Sequence, residues 1–190
     1  MLYWSEDSSA TDTTIFSMPI AGAPAPEPFF TIHLSFNSFT MAGGCLYYSV
    51  KKALERSCGG SAAKVYEGPE YLDLTPYGSS DGSYLYFGSD YEGIMRLSLA
   101  DMPSVDLLTQ GTSFLDVILD RDTVYYVDGD IPWGDDICTD CWGIYSVPTT
   151  GGASTLLLAP PTEWPRYLTV DSEAIYWVNS TDELLMRLAK

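Results

Sequence analysis

The amino-acid sequence predicts an all-β chain of repeated four-stranded antiparallel units, which is the architecture of a β-propeller. Short β-rich runs alternate with Gly, Asp, Ser and Pro turn residues along the whole chain, and helical periodicity is nearly absent. An aromatic dipeptide preceded by Leu, Val or Ile recurs as Tyr3-Trp4, Tyr47-Tyr48, Tyr86-Phe87, Tyr125-Tyr126 and Tyr176-Trp177. The first tyrosines are separated by 44, 39, 39 and 51 residues, near the period of about 40–50 residues that is typical of a propeller blade.

Each repeat is predicted to contain four strands in chain order, with the aromatic dipeptide on the second strand. The third strands are predicted at Ile15–Pro19, Ala53–Arg56, Ile94–Leu97, Ile144–Pro148 and Leu185–Leu188, and the fourth strands at Phe29–Leu34, Ala63–Tyr66, Val105–Leu108 and Thr155–Leu158. The first strands are predicted at Phe39–Ala42, Tyr71–Leu74, Leu115–Leu119 and Tyr167–Val170. Turn residues such as Gly43-Gly44 and Asp81-Gly82 follow these first strands, and they tolerate the tight backbone of a hairpin.

Counting the strands gives three, then three full sets of four, then three, so the sequence predicts 18 strands or about four and a half blades. The repeats fall at about 1–36, 37–68, 69–111, 112–160 and 161–190 of a single propeller domain. Because a closed ring needs whole blades, we expect the chain to be a segment of a ring of six or more blades that begins partway through a blade.

Composition indicates a folded and strongly acidic protein. Apolar residues make up 46% of the 190 residues, which is too many for a disordered chain. The formal net charge of −17 disfavours nucleic acid and anionic membranes and favours cations or basic partners, although it also serves solubility. No apolar run approaches the length of a membrane-spanning helix.

The aromatic dipeptides, the Ile-x-Arg segments of the third strands and the Gly151-Gly152 turn resemble the repeats of YWTD-type propellers, as in low-density-lipoprotein-receptor modules. Secreted or surface-attached bacterial relatives of that group are more similar still. The best matches to Tyr-Trp-Thr-Asp are Tyr3-Trp4-Ser5-Glu6 and Tyr176-Trp177-Val178-Asn179. The resemblance implies a six-bladed propeller that binds proteins or other ligands rather than one that catalyses a reaction.

The four cysteines form two local pairs. A hairpin centred on Lys51-Lys52 places Cys45 opposite Cys58, within reach of a disulfide, with free buried thiols as the alternative. Cys138 and Cys141 lie three residues apart in a loop, where a small-loop disulfide is favoured over a zinc site or a redox pair. Two disulfides would indicate an oxidising compartment.

The candidate binding site is the long loop between the second and third strands of the fourth repeat. Its residues Asp128, Asp130, Trp133, Asp135, Asp136 and Trp142 could bind a peptide or a sugar, and its four carboxylates are a weak calcium candidate. A solvated acidic loop with packed tryptophans is the alternative. No catalytic residue is predicted, because His33 is the sole histidine and lies beside no nucleophile motif.

Two functions are compatible with these observations. The favoured one is a non-catalytic propeller, extracellular, periplasmic or on the cell surface, that needs no cofactor and binds a protein, peptide or glycan through its loop face. The alternative is a propeller lyase or hydrolase that uses carboxylates at the channel mouth, with or without a divalent cation. The sequence predicts no nucleic-acid partner and leaves the oligomeric state open.

Overall fold

A computed structural model describes residues 2–7, 12–19, 27–32, 38–50, 52–59, 61–68, 74–129, 142–162, 165–180 and 182–190. Within these ranges the chain forms 18 strands and no helix. The strands make five antiparallel sheets of three, four, four, four and three strands in chain order. The predicted all-β class of four-stranded antiparallel units is therefore confirmed.

The sheets follow one another along the chain, and each is numbered here by its position. Sheet 1 consists of β1 (Leu2–Asp7), β2 (Thr13–Met18) and β3 (Glu27–Ile32), and sheet 2 of β4 (Phe39–Ala42), β5 (Cys45–Val50), β6 (Ala53–Ser57) and β7 (Ala63–Glu67). Sheet 3 consists of β8 (Leu74–Ser80), β9 (Tyr84–Ser89), β10 (Gly93–Ser98) and β11 (Val105–Thr109). Sheet 4 consists of β12 (Phe114–Asp120), β13 (Thr123–Gly129), β14 (Trp142–Pro148) and β15 (Thr155–Thr162), and sheet 5 of β16 (Pro165–Val170), β17 (Ala174–Asn179) and β18 (Leu185–Ala189).

The register between the second and third strands of the repeat is the same in all five sheets. Each third strand contains a three-residue motif, and the five motifs are Ile15–Ser17, Leu54–Arg56, Ile94–Arg96, Ile144–Ser146 and Leu185–Arg187. In each sheet the first tyrosine of the aromatic dipeptide pairs with the third residue of this motif, and the pairs are Tyr3↔Ser17, Tyr47↔Arg56, Tyr86↔Arg96, Tyr125↔Ser146 and Tyr176↔Arg187. Because a register slip of one residue would turn every side chain to the other face, the shared register means that equivalent residues face the same way in every sheet.

The chain divides into two compact units, residues 1–37 and 38–190. The first unit contains sheet 1, in which Ile15 and Ile32 are buried and the rings of Tyr3 and Phe29 meet edge to face at 5.3 Å. The second unit contains sheets 2 to 5, whose first strands β4, β8, β12 and β16 contact one another in order.

In sheets 3 and 4, the two aromatic residues of the dipeptide serve opposite faces of the sheet, and Tyr47 and Trp177 follow the same pattern in sheets 2 and 5. Tyr47 of sheet 2 shares a core with Phe87 of sheet 3. Tyr86 of sheet 3 does so with Tyr126 of sheet 4, and Tyr125 of sheet 4 packs on the core that contains Trp177 of sheet 5. The first aromatic residue therefore packs on the following sheet and the second on the preceding one, as strand alternation requires.

The turns after the first strands of sheets 3 and 5 use one hydrogen-bonding pattern. Asp81 Oδ1 accepts hydrogen bonds from the backbone NH groups of Ser83 and Tyr84, and Asp81 Oδ2 accepts one from the Tyr86 hydroxyl at 2.9 Å. Asp171 accepts the same set from Glu173, Ala174 and the Tyr176 hydroxyl. An aspartate five residues before the tyrosine thus holds the hairpin closed from its side chain.

Sheet 2 contains the predicted disulfide. Val50 pairs with Ala53 between β5 and β6, and the same register brings Cys45 beside Cys58. The two cysteines form a disulfide with their Cα atoms 4.3 Å apart, which confirms the pairing expected from the hairpin. Cys138 and Cys141 lie outside the described residues, so that prediction stays a prediction.

Candidate functional site

The first strands of sheets 3, 4 and 5 are each interrupted by a β-bulge. The register with the second strand shifts between Thr75 and Ser79 in β8, between Phe114 and Val117 in β12, and between Arg166 and Thr169 in β16. A bulge adds residues that the partner strand does not match, and so it turns side chains away from the regular alternation. The backbone NH of Leu168, in the bulge of β16, hydrogen-bonds to Asp116, in the bulge of β12, so these two bulges lie next to each other.

An open pocket of about 200 Å³ occupies the position between these two bulges, and it is lined by Leu115, Asp116, Arg166 and Tyr167. Tyr167 has a left-handed backbone (φ 58°), and 72% of its surface is exposed. A non-glycine residue in this conformation is uncommon and concentrates at functional sites. The pocket therefore presents an exposed ring, a guanidinium, a carboxylate and one apolar wall.

Asp116 connects the two bulges. Its Oδ2 accepts a hydrogen bond from the backbone NH of Leu168 at 3.4 Å. Burial raises the pKa of this carboxyl above its ordinary 3.8, while the backbone NH groups of Leu168 and Tyr167 and the charge of Arg166 act in the opposite direction. The side chain thus holds the backbone that presents Tyr167, and it lines the pocket itself.

A second group of carboxylates organises the loop between sheets 3 and 4. Asp128 Oδ1 accepts hydrogen bonds from the backbone NH groups of Thr112 and Ser113 at 3.3 and 3.1 Å. Asp90 Oδ1 accepts one from the backbone NH of Phe114 at 3.0 Å. Three consecutive NH groups are therefore satisfied by two side chains from neighbouring sheets, and burial raises the pKa of Asp128 in this position.

The structure describes two of the six residues predicted for the binding loop. The Asp128 carboxylate accepts hydrogen bonds from the backbone NH groups of Thr112 and Ser113. Trp142 is buried in the core between sheets 4 and 5, and its ring packs so closely on Gly129 that a Cβ there would overlap it. Asp130, Trp133, Asp135 and Asp136 lie outside the described residues, as does His33.

Among the residues that the structure describes, no cluster of three or more His, Cys, Asp or Glu side chains could hold a metal ion. The calcium prediction depends on undescribed residues of the 130–141 segment and stays a prediction. In the same ranges, no helix is long and apolar enough to cross a membrane.

Sequence reasoning did not find Asp116, Arg166 and Tyr167 as a site. A signal was present, because Asp116 interrupts the apolar run Leu115 to Leu119. A charged residue inside a strand that is otherwise buried indicates a bulge or a partner. The partner itself could not be identified, because Leu168 lies 52 residues further along the chain.

Comparison with known proteins supports the fold. No protein-family model matches the sequence, and no curated protein matches it. Among solved structures, the chain is similar to one from the nidogen/laminin complex, at a TM-score of 0.70 and 12% identity over 94% of this chain and 71% of the other. Such identity shows a shared β-propeller fold and nothing finer.

Two enzymes share the fold at lower similarity. Puromycin hydrolase matches at a TM-score of 0.59 and 10% identity, over 93% of this chain and 32% of the hydrolase. Glutaminyl cyclase from Myxococcus xanthus matches at 0.50 and 15% identity, over 80% of this chain and 64% of the cyclase. Binding proteins and enzymes both occur among the similar propellers, so the chain is a β-propeller whose function has to be argued from its own residues.

Proposed function

We propose that this chain is a non-catalytic, extracytoplasmic propeller of the YWTD type that binds one side chain of a protein or peptide, or one sugar of a glycan, in the pocket between β12 and β16. The observation that carries the proposal is the size and lining of this pocket. A pocket of about 200 Å³ is smaller than the roughly 300–1,000 Å³ of sites that enclose a whole small molecule. It suits one unit of a larger ligand.

The chemistry of the lining supports the same ligand class. The exposed ring of Tyr167 offers a flat apolar surface for a sugar face or an aromatic side chain. Arg166 and Asp116 supply a donor and an acceptor beside that ring. The disulfide between Cys45 and Cys58 supports a location outside the reducing cytoplasm.

The test is binding of the purified chain to an array of peptides and an array of glycans, followed by affinity measurement on the best ligand. Tyr167→Ala is expected to weaken binding by at least about tenfold, because stacking and its buried area are lost. Tyr91→Ala is the matched control, since Tyr91 is also exposed and also has a left-handed backbone (φ 66°) but lies outside the pocket lining. Equal binding by both variants would place the site elsewhere, and no ligand in either class would refute the proposal.

The enzyme alternative has one specific observation in its favour. Burial raises the pKa values of both Asp116 and Asp128, and such carboxyls are frequent in active sites. An Asp116→Asn variant separates the two functions: a binding protein keeps the ligand chemically unchanged with either residue, whereas an enzyme converts it and loses turnover in the variant. If the melting temperature is the same in millimolar calcium and in a chelator, the chain does not bind calcium, and the enzyme alternative would have to work without that cation.

A further inference from the structure

The residues that line the pocket between β12 and β16 are two pairs of chain neighbours, Leu115-Asp116 and Arg166-Tyr167. In a regular strand, successive side chains point to opposite faces of the sheet, so chain neighbours do not line one pocket. Here they do, because Leu115-Asp116 lie inside the bulge of β12 and Tyr167 lies inside the bulge of β16. The two bulges thus place an apolar group, an acceptor, a donor and a ring around one space.

Leu115 is the apolar wall of the pocket, and packing holds it in place. Its side chain is partly buried and packs against the core between sheets 4 and 5 that contains Leu168 and Trp177. One part of the side chain therefore belongs to the core, while another part lines the pocket. Contact with this fixed surface would remove a small apolar group of a ligand from water, which favours binding.

Asp116 keeps acceptor capacity for a ligand. Burial raises the pKa of its carboxyl, and the backbone NH groups of Leu168 and Tyr167 act in the opposite direction because they donate hydrogen bonds to it. An ionised carboxylate offers roughly four acceptor positions, so two backbone contacts leave room for an NH group of a ligand. A hydrogen bond in a place shielded from water is also stronger than one at a fully exposed surface.

The charges of Asp116 and Arg166 together select a neutral group. Against the effect of burial, the charge of Arg166 lowers the pKa of Asp116, so the two side chains are close enough to interact. A ligand carboxylate in this pocket would meet the like charge of Asp116, and a ligand ammonium would meet that of Arg166. A guanidinium only donates and an ionised carboxylate only accepts. A carboxamide suits both, because it is neutral and has an NH donor and a carbonyl acceptor.

The ring of Tyr167 and the wall of Leu115 distinguish among ligands that contain a carboxamide. Tyr167 is 72% exposed, so its ring is available to a flat apolar surface such as one face of a sugar. An acetamido sugar has such a face, and it also has a methyl group for the apolar wall. The side chain of Asn or Gln has the carboxamide but neither the methyl group nor the ring face.

We propose that the pocket between β12 and β16 recognises the acetamido group of an N-acetylhexosamine in a neutral glycan. The acetamido NH donates to Asp116, and the carbonyl oxygen accepts from Arg166. The methyl group packs on Leu115, and the sugar ring lies on the face of Tyr167. The formal net charge of −17 disfavours glycans that contain carboxylates. This inference rests on the proposed function and narrows it to one class of ligand.

The probes are three oligosaccharides that differ at one position of each sugar. Chitotriose has acetamido groups there, cellotriose has hydroxyls, and de-N-acetylated chitotriose has amines that are protonated at mildly acidic pH. Binding to the full 190-residue chain is measured by calorimetry, and saturation-transfer NMR identifies the ligand protons in contact. We expect chitotriose to bind at least about tenfold more tightly than either of the others, with the strongest saturation on its acetyl methyl groups.

Two variants separate the acetamido contacts from the stacking of the sugar. Tyr167→Ala should weaken chitotriose and cellotriose by similar factors, because stacking does not depend on the acetamido group. Arg166→Met removes the donor and the positive charge, so the preference for chitotriose over cellotriose should fall to less than about threefold. The same variant should bind de-N-acetylated chitotriose better than the unchanged chain does, because only Asp116 then faces the amine. A gain of binding cannot come from a misfolded variant.

Failure of this inference is distinguishable from failure of the proposed function. Equal affinity for chitotriose and cellotriose would overturn the acetamido assignment, and so would a preference that Arg166→Met leaves unchanged. If the arrays yield a peptide or another sugar whose binding is lost in the Tyr167→Ala chain, the proposed function stands and this inference is wrong. If no ligand of either class binds, both are wrong.

Discussion

Sheets 3 and 5 are built from the same short sequences and lie in different surroundings. Both close the first turn with an aspartate and a tyrosine hydroxyl, and both carry Met-Arg-Leu on the third strand of the repeat. Sheet 3 packs between sheets 2 and 4, so Ile94 is 0% exposed, whereas the equivalent Leu185 of sheet 5 is 72% exposed. Identical motifs thus give identical local geometry, while the neighbouring sheet decides how much stability they contribute.

The largest expected contrast is at the residue that precedes Met-Arg-Leu, which is Ile94 in sheet 3 and Leu185 in sheet 5. Ile94→Ala should lower the free energy of unfolding by about 2–5 kcal/mol, because it leaves a cavity in a closed core. Leu185→Ala should change it by no more than about 0.5 kcal/mol, because the side chain already meets solvent. Urea denaturation followed by tryptophan fluorescence measures both, and equal losses would show that sheet 5 is covered in solution.

The next contrast is at the arginine of the motif. Arg96 donates one hydrogen bond to Asp106 and another, at 2.9 Å, to the backbone oxygen of Thr149, which directly follows β14 of sheet 4. Arg96→Gln should therefore cost about 1–2 kcal/mol, whereas Arg187→Gln should cost less than about 0.5 kcal/mol. Arg96→Lys is the control, because it keeps the charge but loses the planar fork that reaches both partners. A lysine variant as stable as the original would assign the effect to charge alone.

A smaller difference is expected at the tyrosine of each turn. Burial, with help from the hydrogen bond to Asp81, raises the pKa of Tyr86 to about 12. Tyr86→Phe removes that hydrogen bond in a closed core and should cost about 1 kcal/mol. Tyr176→Phe removes the equivalent bond on a more open sheet and should cost about half as much. If the tyrosine hydroxyl only fills space, thermal denaturation will show no loss for either variant.

The smallest expected effect is a change in folding stability at acid pH. Burial acts to raise the pKa of Asp81, but the hydrogen bonds from Ser83, Tyr84 and Tyr86 outweigh it and lower the pKa below its ordinary 3.8. The stability that Asp81 contributes is therefore present above pH 3.8 and is lost as the pH falls through the lowered value. Asp81→Asn should lose less stability than the unchanged chain over that acid range, as melting temperatures from about pH 5 to pH 2 would show.

The pKa of Asp128 is shifted in the opposite direction from that of Asp81, so its effect on stability changes with pH in the opposite direction. Its pKa is raised by burial, so its ionisation costs stability as the pH rises above 3.8 through the raised value. Asp128→Asn keeps an oxygen that can accept from Thr112 and Ser113, and it should gain stability relative to the unchanged chain as the pH rises. If the stabilities of the Asp81→Asn and Asp128→Asn chains, each taken relative to the unchanged chain, varied with pH in the same direction, the assigned directions of the two pKa shifts would be contradicted.

The sequence by itself predicted the number of strands, their order and the hairpin register of sheet 2, whereas the first strand of sheet 3, predicted at Tyr71–Leu74, is β8 at Leu74–Ser80 in the structure. Alternating apolar residues, turn residues and the aromatic dipeptides act within one hairpin, over a few residues, so their pattern is readable without the rest of the chain. The Cys45–Cys58 disulfide belongs to this class, because the hairpin at residues 51–52 alone sets its register. The repeat predicted 18 strands in sets of three, four, four, four and three, and the described part of the chain contains 18 strands in these sets.

The tertiary structure alone decided where the bulges fall and which side chains meet there. Asp116 reaches the backbone of Leu168 across 52 residues, and Arg96 reaches Thr149 across 53. No local pattern encodes such contacts, since they depend on how one sheet packs on the next. The same packing buries Ile94 and leaves Leu185 exposed, because burial is a property of the neighbours that a residue meets and not of the residue itself.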